Sequence, residues 1–164
     1  MGTQRAYSIL ENHVLISAAG FATFEIDGWG EGDDVLTVKR LADLATHKIG
    51  AAGEMVVSLN PDRSGEITIK LQQTSSCNKK LWQLASTTRS ATLWVPVFVF
   101  WQDSYRQDKA EGSPGYIKAL PEMKRGREAN EQEWTIVVAN LELAMGDPAF
   151  APGSPQAVAQ SLGG

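Results

Sequence analysis

Cysteine, histidine and long apolar runs are the scarce features of this sequence, and each scarcity removes a class of chemistry. A single cysteine, Cys77, among 164 residues leaves no partner for an intramolecular disulfide and no cysteine zinc cluster, and it suits synthesis in a reducing cytoplasm. The two histidines, His13 and His47, stand far apart with no HExxH or similar spacing, so no metal site is expected. The longest apolar run, Leu93 to Trp101, is about half of what a membrane-spanning helix needs. Glu11, Asn12 and His13 interrupt the stretch where a signal peptide would be apolar, and Ala6 stands where a myristoylation motif places Ser or Thr. No membrane partner is expected. Positive charge is short as well: 15 Lys and Arg against 19 Asp and Glu give a net charge of −4, which excludes a broad basic face that grips nucleic acid.

Catalytic signatures are missing too. There is no GxSxG elbow and no Cys/His dyad that spacing assembles, so no catalytic residues and no cofactor are expected. Gly28-Trp29-Gly30-Glu31-Gly32 resembles a phosphate cradle only in its glycines, because Glu31, Asp33 and Asp34 would repel phosphate. Asn60-x-Asp62-x-Ser64-Gly65-x-Ile67 opens like a calcium loop, but its twelfth position is Leu71 where a bidentate carboxylate belongs. A turn is the better reading of both.

What is present is mainly β. A first strand falls within Tyr7 to Phe24, bent or bulged at Gly20. Residues 27–53 read as a loop, holding a short strand at Val35 to Lys39 and a helical turn within Arg40 to Ile49, with Gly50 and Gly53 as punctuation. Glu54 to Gln73 reads as a β-hairpin about Asn60-Pro61-Asp62-Arg63-Ser64-Gly65. Its second arm alternates strictly, with Ile67, Ile69 and Leu71 on one face and Glu66, Thr68, Lys70 and Gln72 on the other.

The period then changes. Cys77, Leu81, Leu84 and Ala85 make the buried stripe of one amphipathic helix over 75–88, with Ser75 or Ser76 as its cap. Lys79 and Lys80 occupy its first turns, where the helix dipole favours acids, so they are either solvated or answer an acidic neighbour. Lys124-Arg125-Gly126-Arg127 is the one basic cluster, a solvated loop or a docking patch for an acidic partner. Leu93 to Trp101 is apolar on both faces, Trp134 to Val138 nearly so, and Asn140 to Leu143 alternates; one helix cannot cover them all, which calls for burial against another subunit. Pro96 belongs at a bulge or edge. Gln102 to Glu133 reads as mostly loop around a short strand at Tyr116 to Leu120. The domain is expected to span 1–145, with 146–164 a flexible C-terminal arm rich in Ala, Pro, Gly and Ser.

The run from Asp62 to Ser75, followed by Asn78 and Leu81, resembles bacteriophage tail tube proteins. The likeness is to a group of phage structural proteins in which Gly20-Phe21-Ala22, the Gly50-to-Glu54 step and this run follow in the same order. It covers Tyr7 to Val99 well, and it departs at Lys79 and Lys80, where less charge is expected. The resemblance implies a β-sandwich or flattened barrel with one flanking helix, hexameric rings stacked into a hollow tube, and a place in the virion tail after synthesis in the host cytoplasm. It also implies sheath, tape-measure and baseplate partners and DNA that passes through without specific binding, most naturally inside a contractile sheath.

On that reading Asp62, Glu66, Thr68 and Lys70 are candidates to line the lumen. Trp29, Glu31, Asp33, Asp34, Lys39, Arg40, Lys79, Lys80, Trp94 and Trp101 are candidates for contacts between subunits or stacked rings. Two alternatives stay open: a small-ligand-binding β-barrel with Trp94, Phe98, Phe100 and Trp101 around its cavity, and a tail terminator or secretion-machine tube subunit.

Overall fold

The computed structural model describes residues 8–90 and 94–146. Its strands are β1 (Asn12–Ala18), β2 (Phe24–Glu25), β3 (Leu36–Arg40), β4 (Ala45–Ile49), β5 (Met55–Leu59), β6 (Gly65–Gln72), β7 (Val97–Asp103), β8 (Lys109–Ala119), β9 (Glu131–Val138) and β10 (Leu141–Ala144), with α1 (Cys77–Ser90) between β6 and β7. Eight strands form one antiparallel sheet in the order β2-β1-β7-β8-β9-β6-β3, with β10 on β8, while β4 and β5 pair only with each other. The mainly β fold with one flanking helix is as expected. The flattened barrel is not closed, because β2 and β3 end the sheet without a ladder between them.

Alternation builds the core. Val14 and Ile16 of β1, Ile67, Ile69 and Leu71 of β6, Val97 and Val99 of β7, and Trp134, Ile136 and Val138 of β9 all turn inward into one cluster that Cys77, Leu81 and Leu84 of α1 complete. The helix lies two residues later at each end than the expected 75–88, and of the two expected caps Ser75 is shown to serve: its hydroxyl accepts the Cys77 N–H at 3.2 Å.

β8 joins the two halves of the sheet, pairing with β7 and β10 through its first residues and with β9 from Gly115 on. Gly112 and Gly115 make this crossing possible, since a Cβ at either would stand 2.8 Å from a Val138 methyl.

Several expectations are corrected. Glu54 to Gln73 is not a hairpin: β5 pairs with β4, whereas β6 pairs with β3 and β9. Asn60 to Ser64 is a linker between two sheets, shaped by side-chain turns in which Asn60 accepts the Asp62 N–H and Asp62 accepts the Ser64 N–H. The real reversal lies at Gly50 to Glu54, where Gly53 takes φ +88°. Residues 40–49 hold no helical turn but the end of β3 and β4, because Thr46 and Ile49 find cross-strand partners in Ser58 and Met55. The 27–53 loop therefore contains two strands.

Strand β8 takes 11 residues of 102–133 and extends the short strand expected at Tyr116 to Leu120 back to Lys109; its buried positions are Ala110, Gly112 and Gly115 and so lack the large apolar side chains that mark a strand. Pro96 lies just before β7 and not inside it, beside a register shift between Val97 and Val99 in the β7–β8 ladder, and β7 alternates, with Phe98 facing outward. The first strand is shorter than Tyr7 to Phe24, ending at Ala18 before a turn in which Gly20 has φ +83°. Tyr7, Leu93 and the arm from Asp147 to Gly164 lie outside the described residues.

Candidate functional site

Two surfaces distinguish this molecule from a closed ligand-binding barrel. The first is the β4–β5 ribbon. All ten of its strand residues are exposed, Leu59 by 82%. Register places Ile49 opposite Met55, His47 opposite Val57 and Ala45 opposite Leu59 on one face, so that face is apolar, while Thr46, Lys48, Val56 and Ser58 share the other. An isolated two-stranded ribbon is marginal in water, and an uncovered apolar face marks an interaction site. Arg40 and Arg63 stand with Leu44 and Leu59 at its base.

The second surface is the outer face of β6, where the lumen candidates Glu66, Thr68 and Lys70 stand half-buried in alternate positions. Glu66 lies between two lysines, 3.7 Å from Lys39 and 3.4 Å from Lys118. Thr68 is level with Thr37 and Thr135, and Lys70 with Glu133. The face is charge-balanced rather than acidic. Asp62 sits apart in the exposed linker, where the Ser64 hydroxyl and backbone N–H hold its carboxyl below the ordinary aspartate range.

The contact candidates are dispersed. Trp29 packs on the core and bridges Leu71, while the glycines after it wrap Glu131, whose carboxylate accepts the Gly32 N–H at 2.6 Å. Asp33 and Asp34 rim an opening of about 520 Å³ together with Trp101, whose indole N–H donates to Asn12 at 2.9 Å. Glu31 and Trp94 are exposed. Lys80 reaches over the Phe24 ring at 5.3 Å, so its partner is an aromatic face and not an acid. Lys79 stands free of that contact, beside Trp82 at the edge of a separate groove.

The cavity imagined for a ligand does not form from its expected residues. Trp94 and Phe98 are exposed, Phe100 shares the outward side of β7, and Trp101 alone reaches an opening. The ribbon's exposed apolar face is not among the surfaces expected from the sequence. Its signal, Met55-x-Val57-x-Leu59, was visible, but it was assigned to the wrong partner strand.

Among the described residues, an open antiparallel sheet with one packed helix and a projecting ribbon makes a tail-tube-like domain. The family of the bacteriophage PhiTE tail tube protein matches residues 4–146, and this chain belongs to that family. It is a phage tail structural protein, not an enzyme. A structural protein of Pseudomonas phage KPP10, ORF10, is 26% identical over 134 residues, covering 81% of this chain and 77% of that protein. The fold is also that of a chain in the six-fold-symmetrised baseplate of the anti-feeding prophage (TM-score 0.55, 9% identity, 88% of this chain and 97% of that one). It is shared by a chain in the extended sheath–tube complex of the PVC extracellular contractile injection system (TM-score 0.50, 10% identity, 80% and 88%).

Proposed function

We propose that this chain is the repeating subunit of a tail tube, closing into hexameric rings that stack into a hollow conduit for genome ejection inside a contractile sheath. The observation that carries the reading is the β4–β5 ribbon, an apolar sheet face that a monomer leaves in water and a neighbouring copy would cover. A ribbon on one side of a subunit and its receptor on another make a heterologous contact, the kind that generates rings and filaments. Family membership supports the tube role, and the sheath–tube and baseplate neighbours support a contractile setting with sheath and baseplate partners; a tape-measure protein is the further partner of this reading. On this reading the subunit is made in the host cytoplasm and ends in the virion tail.

The outer face of β6, with Glu66, Thr68 and Lys70, and Asp62 at its foot, lines the bore. Lysines that face carboxylates offer a passing phosphate backbone little to bind, so the wall is non-adhesive through charge balance. Asp33, Asp34, Arg40 and Trp101, around the opening and the ribbon base, contact neighbouring subunits or rings. Sedimentation velocity across a concentration series tests the reading. Wild-type protein assembles, and a V57K/L59K variant stays monomeric with an unchanged near-ultraviolet circular dichroism spectrum. Equal assembly by both removes the ribbon from the interface.

A further inference from the structure

The groove between α1 and the segment after β8 is absorbed by neither the bore nor the ribbon. Its walls are Lys79 and Trp82 on α1 and Leu120, Pro121, Met123 and Arg125 on the segment, and it holds about 510 Å³. Its floor is fixed by Trp134, whose indole N–H donates to Asn78 at 2.9 Å. Trp82 is 51% exposed, Leu120 52% and Met123 73%, which gathers large apolar side chains at one open site. Tryptophan, methionine and arginine are the residue types that interface centres favour.

Charge sets the occupant. On a chain of net charge −4, the groove lining carries two cations and no carboxylate. Among the described residues, neither Lys79 nor Arg125 lies in an ion pair, and the nearby Glu122 is engaged by Lys124 at 3.1 Å. Two basic features far apart in sequence, the lysines that oppose the α1 dipole and the 124–127 cluster, thus each contribute one cation to a single apolar groove.

We infer that this groove docks an acidic segment of another tail protein, one that places an aliphatic or aromatic anchor against Trp82, Leu120 and Met123 and carboxylates against Lys79 and Arg125. Anchor burial supplies affinity, and the charges supply orientation and encounter rate. In the chain's own acidic run, Glu31 to Asp34, the Gly32 N–H donates to Glu131, next to the groove residue Gln132, and none of its carboxylates lines the groove. A second copy presenting that run is the competing occupant.

A library of displayed random dodecapeptides selected on wild-type protein, with counter-selection on a K79E/R125E variant, decides the matter. Both substituted residues are exposed, so the variant keeps its fold. The inference expects winners with two or more Asp or Glu within four residues of a Leu or aromatic. By fluorescence anisotropy their binding weakens at least tenfold in K79E/R125E and in W82A, and weakens again from 50 to 500 mM salt. No enrichment, or winners that bind all three proteins equally, overturns it. Loss of self-association by K79E/R125E in sedimentation velocity also overturns it and assigns the groove to a second copy.

Discussion

The indole N–H of Trp134 donates to the Asn78 side-chain oxygen at 2.9 Å, and this bond ties strand β9 to the first turn of α1. The same amide donates to the carbonyls of Gln72 (2.9 Å) and Ser75 (3.2 Å), so one side chain secures the strand-to-helix junction and the core indole together. Removing Asn78 leaves a buried donor without a partner, which costs more than the bond itself is worth. Asn78→Ala is expected to lower stability by about 1–3 kcal/mol in urea denaturation. An unchanged midpoint would show that water replaces the amide.

Gly115→Ala is expected to lower stability by about 1–3 kcal/mol, because the new methyl meets Val138 in a packed core. Val138→Ala in the same chain should recover part of that loss, although alone it destabilises by leaving a cavity. Thermal melts of the four proteins form the cycle. Strict additivity would contradict the proposed contact.

Cys77 is 1% exposed, and burial first of all pushes its thiol above the ordinary cysteine range. Its sulfur lies 3.2 Å from an Asp27 carboxylate oxygen and 3.4 Å from the Glu25 carbonyl. A thiol reagent at pH 8 is expected to modify it only at the rate of opening, with full reaction in denaturant. Rapid modification of the folded protein would contradict the packing of α1.

Asp62 titrates below the ordinary aspartate value of 3.8, because the Ser64 hydroxyl and N–H stabilise its charged form. A folded value below the unfolded one means that its contribution to stability is present above the unfolded value and is lost as pH falls through the folded one. The carboxylate is fully exposed, so the contribution is small. Carboxyl chemical shifts across a pH titration should place Asp62 below 3.8 and return it toward that value in Ser64→Ala.

Legibility followed local signal. The helix was readable because Cys77, Leu81 and Leu84 repeat at helical spacing and Ser75 stands ready to cap, and β6 because its alternation is unbroken. Strand β8 was not, because crossing beneath Val138 requires Gly112 and Gly115, and glycines and polar outward residues look like a loop. The partner of β5 was misassigned because Asn60-Pro61-Asp62 carries hairpin chemistry while bending a linker, and only long-range pairing of β6 with β3 and β9 decides between the two. Of the candidate contacts, Lys79 was singled out for its position against the helix dipole, whereas Trp82 and Met123 joined it only through the fold.

Negative-stain electron microscopy of the purified protein over a concentration series tests the tube reading most directly. Hollow rods, or rings with six-fold end views that lengthen with concentration, are the predicted result. Monodisperse monomers at every concentration, unchanged when tail tube fragments are added as nuclei, would contradict it.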